Sequence, residues 1–346
     1  LDTKGIENGL GKISSLASKG LATATKTITA TSAALSGMGG YAIKVGSSFE
    51  AAMSQVAATM GMSAEEIHNG SAEFSKLQEA AKNAGATTKF SATQAAEALN
   101  YMALAGYDTN KSVQTLPTVL NLAAAGDMDL ATASDMVTDS MSALGDKAGT
   151  VESFVDKMAK TSQKSNTSVQ QLGEALLTVG GTAKSLAGGV TEANTVLGIF
   201  ADNGVKGAEG GTALRNVILS LSAPTDIARK KMAELGLNVF DAEGKMRPLN
   251  DTFNDLNKIL GSMNEGERTQ VLNTIFNKVD LKSVNALLAN SGERFDQLKG
   301  YIEDADGAAG QMADTMQDNL QGKMTTLNSA LEGLGKIGRA SCRERV

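Results

Sequence analysis

Apolar residues recur at helical spacing along most of the chain, and the clearest case lies between residues 73 and 106. The first apolar stripe consists of Phe74, Leu77, Ala81 and Ala84, and the second of Ala92, Ala95, Ala96, Leu99, Met102 and Ala103. Apolar residues three and four apart lie on one face of an α-helix. Gly85 and Gly106 follow the two stripes, where glycine commonly ends a helix. The stretch therefore predicts two helices that pack as a hairpin.

Two similar units follow this first hairpin. In one, the stripes are Val113, Leu116 and Leu120, then Leu130, Ala133, Val137, Met141 and Leu144. In the other, they are Val169, Leu172 and Leu176, then Val190, Ala193, Leu197 and Ala201. The tag S-V-Q-x-L occurs at residues 112–116 and again at 168–172. Half-buried hairpins need neighbours, but the copies are too degenerate to distinguish duplication from chance similarity.

Helix starts are marked by a hydroxyl residue followed three positions later by Glu or Gln, the pattern of a capping box. We expect such boxes at Ser63 with Glu66, at Ser91 with Gln94, and at Thr167 with Gln170.

Residues 237–249 lack the helical spacing of the preceding segments. They predict a short β-hairpin, with LNVF and KMRPL as its two strands and DAEG at residues 241–244 as its turn. Helices resume after it. From residue 308 to 334, Met312, Met316, Leu320, Met324 and Leu327 recur at spacings of four, four, four and three. This spacing is compatible with the start of a coiled-coil rod.

We therefore predict an all-α fold of multiple helical hairpins, with one short β-hairpin and the start of a rod. The expected segments are a small-residue helical N-terminal segment (1–46), a hairpin core (47–236), the β-hairpin (237–249), a C-terminal helical region (250–336) and a tail (337–346).

Composition agrees with many medium-length helices. The chain has 346 residues, of which 42% are hydrophobic and only 4% aromatic. Three prolines permit helices, and 37 glycines interrupt them often. A net charge of -6 gives no reason to expect a nucleic-acid surface.

The two ends are unusual. The chain starts at Leu1, so we expect a fragment or a processed form. The tail IGRASCRERV resembles the translation of a common sequencing adapter, and we interpret it as an artefact. It contains Cys342, the one cysteine, so without it the chain has no thiol for a disulfide or a metal site.

Residues 27–43 are uncharged but rich in hydroxyl groups and broken by glycines. A membrane span needs ~20 mostly apolar residues, so we favour small-residue helices packed on the body. A membrane-active segment remains the alternative.

No residue pattern indicates catalysis. The one histidine, His68, is interpreted as a surface residue with no nucleophile near it. Gly204, Gly207, Gly210 and Gly211 precede a helix but lack the lysine and the leading strand of a phosphate loop. They favour a close-packed turn.

Two charged motifs are equally weak. Asp304 and Asp306 begin like a calcium loop that lacks its closing Glu. Arg229, Lys230 and Lys231 favour a solvated helix face over a phosphate site. We predict no catalytic residue, no cofactor and no metal, and hence a protein that is not an enzyme.

Six pieces of the chain, in order, resemble the core region of phage tail tape-measure proteins. They are Phe49-Glu50 with Met53-Ser54, TKFSATQAA (88–96), YMALAGYD (101–108), LPTVLNLAAAG (116–126), NTSVQQLGEAL (166–176) and GTALR (211–215). The DAEGKMRPL stretch and Ile275 to Asn277 fit as well, and the resemblance covers residues 47–278.

The resemblance implies a structural scaffold in the tail lumen, around which tail-tube subunits polymerise until its length is used. Its implied partners are tail-tube proteins, tail assembly chaperones, tail-tip or baseplate proteins and further copies of itself. Its implied locations are the virion and, during assembly, the bacterial cytoplasm. The family brings no shared catalytic residues. Two alternatives stay open: a membrane-perturbing helical protein that contacts the host membrane and aids genome delivery, and a helical interaction protein unrelated to phage.

Overall fold

A computed structural model of the chain describes residues 32–276 and 278–318. The chain divides into two compact units: Leu1–Ser48 with Leu334–Val346, and Phe49–Gly333. In the first unit, the described residues 32–48 are all part of one helix. The second unit contains the folded body. The expectations for residues 1–31 and for the tail at 337–346 lie outside the described residues.

The described residues form sixteen α-helices. They are α1 (Ser32–Thr59), α2 (Ala64–His68), α3 (Ala72–Thr87), α4 (Ala92–Leu104), α5 (Thr109–Ala125), α6 (Leu130–Leu144), α7 (Val151–Lys164), α8 (Val169–Val179), α9 (Gly189–Asp202), α10 (Gly207–Ser222), α11 (Asp226–Glu234), α12 (Leu249–Leu260), α13 (Glu265–Ile275), α14 (Leu281–Asn290), α15 (Glu293–Glu303) and α16 (Ala308–Gln317). Short 3-10 turns lie at Gly145–Ala148, Gly180–Ser185 and Lys278–Asp280.

Local capping explains where many of these helices begin. The predicted boxes at Ser63 with Glu66 and at Ser91 with Gln94 are present. The third prediction was wrong by one residue, because the box that opens α8 joins Ser168 to Gln171. In each box the serine hydroxyl accepts the backbone N–H of the residue three positions later. The side chain of that residue accepts the backbone N–H of the serine, so two otherwise unpaired donors are satisfied together.

The first two predicted hairpins are present. α3 packs against α4, and α5 packs against α6. Leu99 is completely buried, while Glu97 on the opposite face of α4 is exposed. One detail differs: α3 continues through Gly85 to Thr87, and the missing side chain at Gly85 lets the backbone of Ala92 come close. A Cβ at Gly85 would lie 2.5 Å from the Ala92 nitrogen.

The third predicted hairpin is not the main pairing. α8 has only a small contact with α9 and packs chiefly against α10. The reason is a close approach at Gly211, where a Cβ would lie 2.3 Å from the Ala175 carbonyl oxygen and 2.7 Å from the Thr178 Cβ. Helix axes can come this near only where one partner lacks a side chain.

α9 is the central helix of the body. Every residue from Gly189 to Ala201 is buried, including four polar ones. α7, α10, α14 and α15 all pack on it. At Gly198, a Cβ would lie 2.6 Å from the Ser165 hydroxyl and 2.9 Å from Leu298, so helices approach closely from two sides. A helix buried on all faces shows no single apolar stripe, so the sequence did not predict these four partners.

The predicted β-hairpin at residues 237–249 was wrong. Phe240 and Met246 form one isolated antiparallel bridge, and the described residues contain no strand. The turn itself is held by the Asp241 carboxylate, which accepts the N–H groups of Glu243 and Lys245 at 3.1 and 2.7 Å. α11 ends at Glu234 and α12 begins at Leu249. An isolated two-stranded ribbon is marginally stable at best, so this segment forms a turn with a single bridge.

The described part of the predicted C-terminal rod is docked on the body. α16 covers residues 308–317 and packs against α5 and α7. Met312 is half-buried there and Met316 is exposed. Leu320, Met324 and Leu327 lie outside the described residues.

Candidate functional site

The residues singled out in the sequence do not converge on one site. His68 is exposed at the end of α2. Asp304 and Asp306 lie between α15 and α16. Arg229 pairs with Asp226 at 2.9 Å and Lys231 pairs with Glu234, all on α11. In the described part of the chain, no group of three His, Cys, Asp or Glu side chains is placed to hold a metal ion.

The glycine-rich stretch before Thr212 serves helix packing. Gly207 begins α10, so Gly210 and Gly211 lie within its first turns. Gly211 faces α8, and a Cβ at Gly210 would lie 3.2 Å from the Val205 carbonyl oxygen. These backbone surfaces are covered by protein. The stretch therefore positions α10 on α8 as a close-packed segment.

A buried polar junction joins two helix starts, and the sequence reasoning missed it. Glu192 is only 3% exposed in the first turn of α9. One carboxylate oxygen accepts the Gly188 N–H at 2.8 Å, and the other accepts the Leu249 N–H at 2.5 Å. A carboxylate is favourable at a helix N-terminus, where N–H groups lack partners. Glu192 thus fixes the start of α12 against the start of α9.

Burial raises the pKa of the Glu192 carboxyl above its ordinary value of 4.5, and the nearby charge of Asp251 adds to this. The two N–H donors and the charge of Lys299 act in the opposite direction. Because the folded chain holds this proton more tightly than the unfolded chain, Glu192 stabilises the fold most below pH 4.5. That stabilisation is lost as the pH rises through the folded-state value.

We expect Glu192→Gln to change the pH dependence of stability. Gln has nearly the same size as Glu and cannot ionise; its NH2 group cannot accept one of the two N–H groups, which lowers stability by an amount that does not depend on pH. The free energy of unfolding of the natural chain, measured relative to this variant, should therefore fall as pH rises above about 4.5. Urea unfolding between pH 4 and 8 measures this difference, and a constant difference would contradict the prediction.

A second polar junction includes Asn166, the first residue of the NTSVQQLGEAL stretch. The Asp202 carboxylate at the end of α9 accepts the Asn166 N–H at 2.8 Å and pairs with Arg294 at 2.8 Å. Arg294 also donates to the Lys164 carbonyl oxygen at the end of α7. Cations and donors stabilise the free carbonyls of a helix C-terminus. The start of α15 is thereby tied to the ends of α7 and α9.

A model of a known family matches residues 78–277 of this chain, and its description is phage-related minor tail protein. The match extends from within α3 to just beyond α13, so it includes α9 and the junction at Glu192, while Arg294 of the second junction lies beyond it. The chain belongs to the phage-related minor tail protein family.

Two relatives in this family are named as tape measure proteins. The chain is 34% identical to the tape measure protein of Pneumococcus phage Dp-1 over 309 residues, which cover 89% of this chain and 26% of that protein. It is 27% identical to a probable tape measure protein of Escherichia phage P2, over 78% of this chain and 33% of that protein. The chain thus spans about a quarter to a third of the length of these relatives. No solved structure matches it significantly.

The described surface of this minor tail protein is mixed. Large exposed apolar residues lie on separate elements, with Leu104 on α4, Ile227 on α11 and Val279 on a 3-10 turn among the most exposed. Singly exposed apolar residues are ordinary on protein surfaces.

No helix among the described residues combines the length and the apolar character needed to cross a bilayer.

Proposed function

We propose that this chain is the folded core of a phage tail tape-measure protein and acts as a structural scaffold in tail assembly. The similarity to the tape measure protein of phage Dp-1 over 89% of the chain carries the proposal. The matched segments make up only 26% and 33% of the two relatives, so length measurement is assigned to the whole protein and the folded core to this part of it.

The packing of the body supports a module rather than a ruler. A ruler converts residues into length at a constant rise of ~1.5 Å per residue in an α-helix. Here α9 is enclosed by four other helices, and α16 returns to pack on α5 and α7. Adding or removing residues inside such a body disrupts the packing of its helices. It does not change the end-to-end length of the body in proportion to the number of residues.

The proposed partners follow from the position of a tape measure. They are the tail-tube subunits that polymerise around it, the assembly chaperones, the tail-tip or baseplate proteins, and further copies of the chain. The proposed locations are the tail lumen and, before that, the host cytoplasm. In this proposal the role of the body is to hold shape.

A nonsense codon in the phage gene tests the proposal. With translation stopped at Leu99, the infected cell should contain heads but no tails of uniform length. Supplying the intact gene from a plasmid should restore them, and a silent change at the same codon is the control. Electron micrographs with normal tails in the absence of the product would overturn the proposed function.

A further inference from the structure

The last described helix, α16, is attached to the body in an unusual way. Its main partners are α5 and α7, which lie far away in sequence, and it has at most marginal contact with α15, the helix before it. The intervening turn ends at Gly307, whose φ of 74° lies in the left-handed region that favours glycine. α16 therefore folds back across the body after a sharp reversal.

The face that α16 buries consists mainly of very small side chains, with Met312 half-buried beside them. Its buried residues are Ala308, Ala309 and Ala313. A Cβ at Gly310 would lie 3.6 Å from the amide nitrogen of Asn121 on α5, so the two backbones are close. Small side chains allow this approach, but they remove little apolar area from water when they dock.

The start of α16 is secured by a residue about 150 positions earlier in the chain. Its N-cap residue, Gly307, has no side chain to cap the helix. Instead, the Asp156 carboxylate on α7 accepts the Gly307 N–H at 2.8 Å and the Ala309 N–H at 2.9 Å. A further contact joins the Ser162 hydroxyl on α7 to the Met312 sulfur at 3.8 Å.

These features make the docking of α16 and its folding one event. A helix of 10 residues is marginal in water on its own. Without the surfaces of α5 and α7, α16 has no cap at its first turn and no partner for its alanines. Releasing α16 costs the carboxylate clamp and its packing on α5 and α7, whereas releasing α9 would require separating it from four helices.

We propose that α16 is a releasable strap: the Asp156 clamp holds it across α5 and α7, and it opens while the rest of the body stays folded. The chain continues from α16 beyond residue 318. When α16 opens, it uncovers the faces of α5 and α7. The inference does not depend on the proposed tail function.

Native-state hydrogen exchange on the full chain tests the strap. Amides of α16 should exchange through a local opening and at least ~10-fold faster than the buried amides of α9. Asp156→Asn removes the charge and one of the two acceptors, so it should speed exchange in α16 by a further ~10-fold while leaving α9 unchanged. Glu152→Gln is the matched control, because Glu152 is an exposed carboxylate one turn earlier on α7, and it should change neither helix.

Three results would overturn the inference. One is equal protection of α16 and α9 in the natural chain, which means that they open together. Another is equal acceleration of both helices by Asp156→Asn. The third is no effect of Asp156→Asn on α16, which means that the carboxylate is not the clamp. The comparison within the natural chain remains decisive if the Asp156 variant does not fold.

Discussion

A phage whose copy of this chain lacks residues 112–145 should produce no infectious particles. The deletion removes most of α5 and all of α6. α5 packs on α3, α4, α7 and α16, and α6 packs on α4 and α8. Completely buried residues such as Leu122 and Val137 are lost with them. The net stability of a domain is only ~5–15 kcal/mol, and a single buried Leu contributes several of these. The body should therefore not fold.

A ruler would behave differently under the same deletion. The segment removed is about 34 residues long, which corresponds to ~50 Å of α-helix. If this region only measured length, tails would be shorter by that amount, uniform and infectious. Electron micrographs of the mutant lysate distinguish the two outcomes. Short infectious tails would show that the folded body is itself part of the tape.

Gly211→Ala should destabilise the body by ~2–3 kcal/mol, although the change is a single methyl group. Alanine favours a helix over glycine by up to ~1 kcal/mol. At this position, however, the added Cβ would lie 2.3 Å from the Ala175 carbonyl oxygen, and neither backbone can yield without moving α8 or α10. Overpacking of this kind costs ~1–3 kcal/mol or more, so the clash outweighs the helix preference. Urea unfolding measures the change in the free energy of unfolding.

Gly300→Ala is the matched control for that substitution. Gly300 also lies within a helix, α15, but a Cβ there would meet nothing within 4 Å. We expect this variant to be more stable by ~0.5–1 kcal/mol. Changes of the same sign in both variants would contradict the close α8–α10 contact.

The larger substitution Gly211→Val connects stability to tail assembly. It leaves the chain length unchanged, so a ruler would still give normal tails. If the body is a folded module, the phage with this variant should resemble the deletion mutant, because both lose the packing of the body.

Much of the secondary structure follows from the sequence alone. Ser63, Ser91 and the residues three positions after them set helix starts, because a capping box involves only four neighbouring residues. The stripe through Leu99 identified the buried face of α4 correctly, since the helical period places those residues together whatever their partner. Helical hairpins with short links could also be predicted from the sequence, as the contacts of α3 with α4 and of α5 with α6 show.

Tertiary structure alone decided the features that depend on distant residues. A stripe of apolar residues records that a face is buried but not which helix covers it, so the pairing of α8 with α10 depended on the space at Gly211. Residues 237–249 have the turn signals of a hairpin, yet two arms without a third strand beside them form only one isolated bridge. Glu192 and Asp156 look like ordinary acidic residues of amphipathic helices. Their roles arise because packing brings their carboxylates to the uncapped starts of α12 and α16, about 57 and 150 residues away, and no local pattern records a contact at that separation.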